Sequence, residues 1–243
     1  MKVGVVGAGV MGGGIAQVCA VAGFDAACYD IAPAALAAAR EHATTGRFGL
    51  ENAVTRGLLT REDADAALAR ITFTETFDDA ANADIVIEAV PERLDLKMRV
   101  FRDLDRAAPA STILASNTSG LPITALAAAT DRPDRVIGWH WASPAPVMKL
   151  AEIVATPATS DATIEAVKDA AARCGKHPIV VKDNPMQWGF VANRVYFAMV
   201  REAQRVVDEG IATRDEVDQL MIDCYRWPSG PFGMVKGAGS GWS

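Results

Sequence analysis

The sequence lacks the marks of several large protein classes. It has no cluster of basic residues: 24 Lys and Arg are outnumbered by 30 Asp and Glu, for a formal net charge of −6. A chain of that sign without a basic patch is a poor partner for nucleic acid. No apolar run is long enough to span a membrane, and no charged segment precedes a small-residue cleavage site. The apolar stretch begins at Val3 behind a single lysine, so the opening residues are expected to belong to the fold and the protein to be cytoplasmic. The four cysteines, Cys19, Cys28, Cys174 and Cys224, are scattered without a Cys-x-x-Cys pair, and none of the three histidines lies at metal-ligand spacing. A disulfide framework and a zinc site are therefore excluded, no metal is expected, and the thiols are expected to be reduced core residues. What the chain does have is 243 residues, half hydrophobic and 22% charged, enough to bury a substantial core in one or two domains.

Short apolar runs alternate with segments of helical period as far as about residue 182. Strands are expected at 2–6, 25–29, 71–74, 85–89, 113–115, 136–139, 149–154 and 178–181, with helices between. This is the pattern of an α/β fold with a doubly wound, mostly parallel sheet covered on both faces. The alanine-rich stretch at about 33–70, broken near 44–49 and at Arg56-Gly57, is read as an arm of two helices, the second starting near Thr60 with Glu62 and Asp63 in its first turn. Beyond Asp183-Asn184-Pro185 only helical spacing returns, at 191–209 and 214–224, the latter behind a Thr213 cap with Glu216 at its third position. Two domains are expected, a dinucleotide-binding one over 1–183 and a small all-helical one over 184–243. The Gly- and Ser-rich tail 237–243 is expected to be loose.

Gly7-Ala8-Gly9-Val10-Met11-Gly12 lies between the first strand and the first helix. There the first glycine permits a tight turn, the second admits a pyrophosphate, and the third lets helix and strand approach. A glycine-rich turn that binds nothing has the same letters, but this one opens an amphipathic helix and is followed, at the end of the second strand, by Asp30. An acid there binds adenosine ribose hydroxyls and repels a 2′-phosphate, and no Arg or Lys follows before Arg40. NAD is thus expected in preference to NADP.

Other residues of chemical interest also fall at strand ends. Asn117, Thr118 and Ser119 follow the strand at 113–115, where open parallel sheets bind ligands, although a turn or helix cap uses the same residues. His140 follows the run 136–139, and Glu152 sits in the next strand, so the two can meet across neighbouring strands as a positioned acid/base. A structural histidine paired with a carboxylate fits the same spacing. Spacing alone does not select Asn193.

Together these motifs resemble the L-3-hydroxyacyl-CoA dehydrogenases of the 3-hydroxybutyryl-CoA type over nearly the whole chain. The resemblance is carried by 3–14 with Ile15-Ala16-Gln17, by 84–92 ending Val90-Pro91-Glu92, by Ala115-Ser116-Asn117-Thr118-Ser119, by His140 with Pro146-Val147-Met148-Lys149-Leu150-Ala151-Glu152, and by 189–194. It implies an NAD-dependent interconversion of a 3-hydroxyacyl thioester and its 3-ketoacyl form. His140 would be the acid/base, Glu152 would orient and polarise it, and Ser119 and Asn193 would bind the reacting oxygen or the thioester. It further implies that Asp30, Glu92, Lys97 and Asn117 contact the NAD and that the protein is a homodimer formed through its helical domain.

The resemblance is incomplete at three places. The family's His-Phe-Phe-Asn-Pro is here His140-Trp141-Ala142-Ser143-Pro144, so the shorter Ser143 stands where the family has a substrate-binding asparagine. Met186-Gln187-Trp188 separates Pro185 from Gly189. The chain stops soon after Gly233, which implies a shortened helical domain or a fragment. The family grips coenzyme A phosphates with basic residues of the helical arm, but this arm is mostly alanine and acid, with Arg47 and Arg56 as candidates and a solvated helix face as the other reading. Weak coenzyme A contacts leave open an acyl carrier protein as the carrier. A free hydroxy acid substrate and a catalytically silent NAD-binding protein are the remaining alternatives.

Overall fold

The computed structural model describes residues 1–240, with side chains described through Val235. The chain divides into two units, Met1–Trp188 and Gly189–Ser243. The first is built on one eight-stranded sheet: β1 (Lys2–Val6), β2 (Asp25–Tyr29), β3 (Ile71–Thr74), β4 (Ile85–Glu88), β5 (Ile113–Ser116), β6 (Val136–Trp141), β7 (Leu150–Ala155) and β8 (His177–Lys182). Their order is β3-β2-β1-β4-β5-β6-β7-β8. The first six run parallel; β7 is antiparallel to β6, and β8 is parallel to β7. Strand order reverses between β1 and β4, which opens a crevice at the carboxyl ends of the parallel strands.

Helices cover both faces. One cluster of buried side chains joins the sheet to α1 (Val10–Val21), to the arm helices α2 (Pro33–Thr44), α3 (Leu50–Thr55) and α4 (Arg61–Ala69), and, further along, to α8 (Asp161–Arg173). The remaining helices of this unit, α5 (Phe77–Ala81), α6 (Leu94–Ala107) and α7 (Ile123–Ala127), contribute Ala80, Phe101, Leu104, Ile123 and Leu126 to a separate buried layer. Trp139 and Trp141 belong to the α1 and α8 cluster, their rings 5.0 Å apart. Because side chains alternate across a strand, burying these two indoles turns His140 to the opposite face. The large apolar neighbours thus decide which way the polar residue points.

Several local expectations need correction. The arm holds three helices rather than two: the chain leaves α2 at Thr44, and Gly49 starts a separate turn and a half that ends where Gly57 takes a positive φ of 68°. The last of them is capped as expected, Thr60 Oγ1 accepting from the Asp63 amide at 3.0 Å. His140 does not follow its strand but lies inside it, since pairing with β7 carries β6 on to Trp141. Cys19, Cys28 and Cys174 are buried, with burial pushing the Cys28 thiol up to about 12, but Cys224 is exposed.

The second unit contains α9 (Val191–Asp208), α10 (Arg214–Tyr225) and α11 (Pro231–Ser240). Thr213 and Glu216 form a reciprocal capping box at the start of α10. Asp218 accepts from the Phe232 and Gly233 amides, both at 2.8 Å, and so caps α11 from its neighbour. The tail expected to be loose is helical as far as Ser240; residues 241–243 lie outside the described part. Among the described residues no helix is long and apolar enough to cross a membrane.

Candidate active site

The glycine-rich turn lies at the carboxyl end of β1. Gly7 takes φ +105°, a conformation side chains rarely adopt, and its amide donates to Tyr29 O at 2.8 Å, tying the turn to β2. A Cβ on Gly12 would collide with the Gly7 carbonyl. At Gly9, the N-cap of α1, a Cβ would meet nothing within 4 Å. No side chain caps this helix and no acid stands in its first turn, so no side chain offsets the positive end of its dipole. Val10 is well exposed and Met11 half-buried at this turn. Asp30 accepts the Ala8 amide at 2.8 Å on one oxygen and the Ala32 amide at 2.9 Å on the other, which fixes its carboxylate beside the turn. A carboxylate has about four acceptor sites, so two remain for ribose hydroxyls. An anion-seeking helix start with a gap over it, beside a fixed carboxylate, fits NAD.

The second group surrounds the ends of β4 and β5. Glu88 closes β4 and is fully buried. Its Oε1 accepts from Lys97 Nζ at 2.6 Å and the Val90 amide at 2.7 Å, and its Oε2 accepts from Ser116 Oγ at 2.7 Å. Burial pushes this carboxyl above the usual carboxylate range, against the pull of Lys97 and the other donors. Lys97 also donates to Val90 O at 3.0 Å and lies 3.3 Å from Glu92 Oε2. Its three donors therefore face three acceptors, and its ammonium side chain is only 1% exposed. Lys97, expected at the NAD, is held by Glu88 and lies beside Glu92. Glu92 in turn accepts from Thr118 Oγ1 at 2.5 Å and the Ser119 amide at 2.8 Å. Asn117 Oδ1 accepts from the Trp141 amide at 3.0 Å, which links this loop to the strand of His140.

The third group is the cross-strand pair. His140 in β6 and Glu152 in β7 stand directly opposite each other, with Nδ1 2.7 Å from Oε2, and both are buried. A carboxylate on Nδ1 favours the tautomer with its proton there, leaving Nε2 as the basic atom. Ser143 follows in the loop after β6 and is half-buried. Asn193 lies in the first turn of α9, in the second unit.

Arg47 and Arg56 are exposed but border a cavity of about 410 Å³ in the first unit. Lys149, Arg173 and Lys176 line the same cavity, over an apolar floor that includes Val18, Leu50 and Leu59. The arm's own pair of cations thus understates the charge assembled there. Lys149 comes from the β6–β7 loop, and Arg173 and Lys176 from the end of α8 and the turn after it, so no spacing could have grouped them with the arm. Glu88 was also missed, and its one signal was an acid ending an otherwise apolar strand.

The family model "3-hydroxyacyl-CoA dehydrogenase, NAD binding domain" matches residues 2–184, and "3-hydroxyacyl-CoA dehydrogenase, C-terminal domain" matches 189–243. The chain belongs to the 3-hydroxyacyl-CoA dehydrogenase family. A probable 3-hydroxybutyryl-CoA dehydrogenase of Bacillus subtilis is 42% identical over 231 residues, 95% of this chain and 78% of the relative. The crystal structure of (S)-3-hydroxybutyryl-CoA dehydrogenase from Ralstonia eutropha superposes with a TM-score of 0.89 at 42% identity, covering 95% of this chain and 79% of that one. A diketoreductase described as acting on dicarbonyl compounds has a TM-score of 0.86 at 33% identity, with 96% and 81% coverage. This 3-hydroxyacyl-CoA dehydrogenase family member is thus an NAD-binding oxidoreductase.

The two glycines separate cofactor fit from folding. Gly9→Ala is expected to leave the melting temperature within about 1 °C while weakening NADH binding at least tenfold, read by titrating nicotinamide fluorescence, because the added methyl fills only the space over the helix start. Gly12→Ala is expected to lower the melting temperature by several degrees, since overpacking of this kind costs about 1–3 kcal/mol. Unchanged NADH affinity in Gly9→Ala would place the pyrophosphate elsewhere.

Proposed function

We propose that this family member interconverts a short 3-hydroxyacyl-CoA and its 3-ketoacyl form, with His140 as acid/base and Glu152 as its partner. The observation that carries the proposal is the 2.7 Å contact between His140 Nδ1 and Glu152 Oε2, on the strand beside the loop of Asn117 and Ser119. NAD, when bound, supplies the acceptor for the hydride of the hydroxyl-bearing carbon. As that hydride leaves, His140 Nε2 takes the hydroxyl proton, and the Glu152 carboxylate stabilises the imidazolium so formed. In the reducing direction the same nitrogen returns the proton to the developing alkoxide. Ser119 binds the reacting oxygen, Ser143 takes the place of the family's asparagine at shorter reach, and Asp30 and Glu92 order the cofactor with Asn117. The role of Asn193 on the thioester, and the homodimer, rest on the family resemblance.

Coenzyme A is favoured as the carrier by the cationic cavity. Arg47, Arg56, Lys149 and Arg173 over an apolar floor suit a nucleotide bearing several phosphates, while the buried Lys176 ammonium is held by the Ala145 and Met148 carbonyls. Arg47, Arg56, Lys149 and Arg173 are the cavity's exposed members, able to meet those phosphates. This supports coenzyme A over an acyl carrier protein, whose phosphopantetheine arm has no adenosine. The diketoreductase likeness keeps a second reading, reduction of a dicarbonyl compound without a thioester.

With acetoacetyl-CoA and NADH, His140→Ala is expected to reduce turnover about 10²- to 10⁴-fold, the usual scale of general acid–base catalysis, with NADH affinity nearly unchanged. Glu152→Gln removes a charged hydrogen bond of about 1.5–3 kcal/mol, equivalent to a turnover loss of about 10- to 100-fold. A wild-type rate in either variant would refute the assigned pair. Arg47→Glu with Arg56→Glu should raise KM for acetoacetyl-CoA about tenfold or more, each surface charge pair being worth up to about 1 kcal/mol, but spare the N-acetylcysteamine thioester of the same acyl group. An equal rise on both substrates would detach the cavity from coenzyme A.

A further inference from the structure

Glu88 has no part in the chemistry assigned above, yet its carboxylate is fully engaged by the protein. It is fully buried, at the switch point of the sheet, and its carboxylate holds three donors from three places: Ser116 on the adjacent strand, the Val90 amide in its own loop, and Lys97 on α6. Two paths lead from it toward the cleft. In one, Ser116 Oγ accepts the Thr118 amide at 3.2 Å, and the Glu88 carbonyl accepts the Asn117 amide at 2.8 Å. In the other, Lys97 reaches Glu92 at 3.3 Å, and Glu92 receives Thr118 Oγ1 and the Ser119 amide. Both paths end on residues 117–119. Thr118 is itself clamped, its hydroxyl accepting the Leu121 amide at 2.9 Å.

A fold needs no ion pair at this position, since well-packed apolar side chains can replace buried pairs at little or no cost in stability. A carboxylate that binds a strand-end hydroxyl and the ammonium that holds Glu92 does something an apolar side chain cannot. It sets two polar groups at defined positions on one loop. We propose that Glu88 is a positioning residue for the reaction: by fixing Ser116 and Lys97 it holds the 117–119 loop and the Glu92 carboxylate in register with His140. This inference rests on the reading that Asn117, Ser119 and His140 serve one reaction. Asn117 Oδ1, bonded to the Trp141 amide, is where that register is passed to the catalytic strand.

The test uses the whole enzyme and the reduction of acetoacetyl-CoA by NADH. Glu88→Gln keeps the size but removes the charge that holds Lys97, and Ser116→Ala removes one hydroxyl while leaving Lys97 and Val90 bound to Glu88. Both are expected to lower kcat, by about 10-fold or more in Glu88→Gln and about 3- to 10-fold in Ser116→Ala, by the scale on which misplaced reacting groups lose rate. KM for acetoacetyl-CoA and the melting temperature should move little in Ser116→Ala, and Glu88→Asp, which keeps the charge, should recover part of the Glu88→Gln loss. Melting temperatures that fall while kcat stays at wild type, in either variant, would make Glu88 a stabilising residue only and overturn the proposal. If Glu88→Gln does not fold, Ser116→Ala decides by the same criteria. His140→Ala serves as the control: were it fully active, the reading of the site would fail, whereas an inactive His140→Ala beside a fully active Ser116→Ala would overturn only the inference about Glu88.

Discussion

The arrangement of this molecule depends on a single cross-strand pair, and that pair depends on a reversal of direction. Six parallel strands bring their carboxyl ends to one edge of the sheet, where a nucleotide can meet the helix start after β1. Because β7 runs back along β6, His140 and Glu152 stand opposite each other and their side chains share a face. The neighbouring indoles of Trp139 and Trp141 fill the other face, so a one-residue slip would turn the histidine into the apolar cluster and the tryptophans toward Glu152. Hydrophobic packing thus enforces the register, and the register makes the pair.

Around it the sheet edge divides the labour. The turn after β1 and the carboxylate after β2 offer an anion site and two acceptor sites for a nucleotide. The ends of β4 and β5 carry a buried polar network whose members are nearly all satisfied. Such networks rigidify when complete and are costly when broken, and this one holds the loop that carries Asn117 and Ser119. The cationic cavity lies apart from these groups in the chain and draws its charges from the arm, the β6–β7 loop and the α8–β8 turn. A long ligand with one reactive end and one phosphorylated end matches that separation of roles.

Much of this was legible in the sequence because it is local. All eight strands were anticipated from apolar runs, and the glycine turn with Asp30 was read from spacing alone. His140 and Glu152 were picked out as candidates by strand placement, and the resemblance supplied their roles. What escaped was set by tertiary partners. The extension of β6 through His140 comes from pairing with β7, which a single apolar run does not reveal. The third arm helix is only six residues long, Leu50–Thr55, too short to carry a period. The resemblance singled out Lys97 as an NAD contact, but its partner Glu88, nine residues earlier on another element, was not read as a site residue. Arg173 and Lys176 flank a helix end remote in sequence from the arm whose cavity they line.

The proposed acid/base pair requires Glu152 to hold the His140 imidazole with its proton on Nδ1 and its lone pair on Nε2. The nitrogen chemical shifts of ¹⁵N-labelled His140, recorded in the free enzyme at a pH where the imidazole is neutral, test it directly. The account predicts a protonated Nδ1 and an unprotonated Nε2. The reverse tautomer, with the proton on Nε2, would leave the histidine unable to accept the substrate's proton there and would contradict the account.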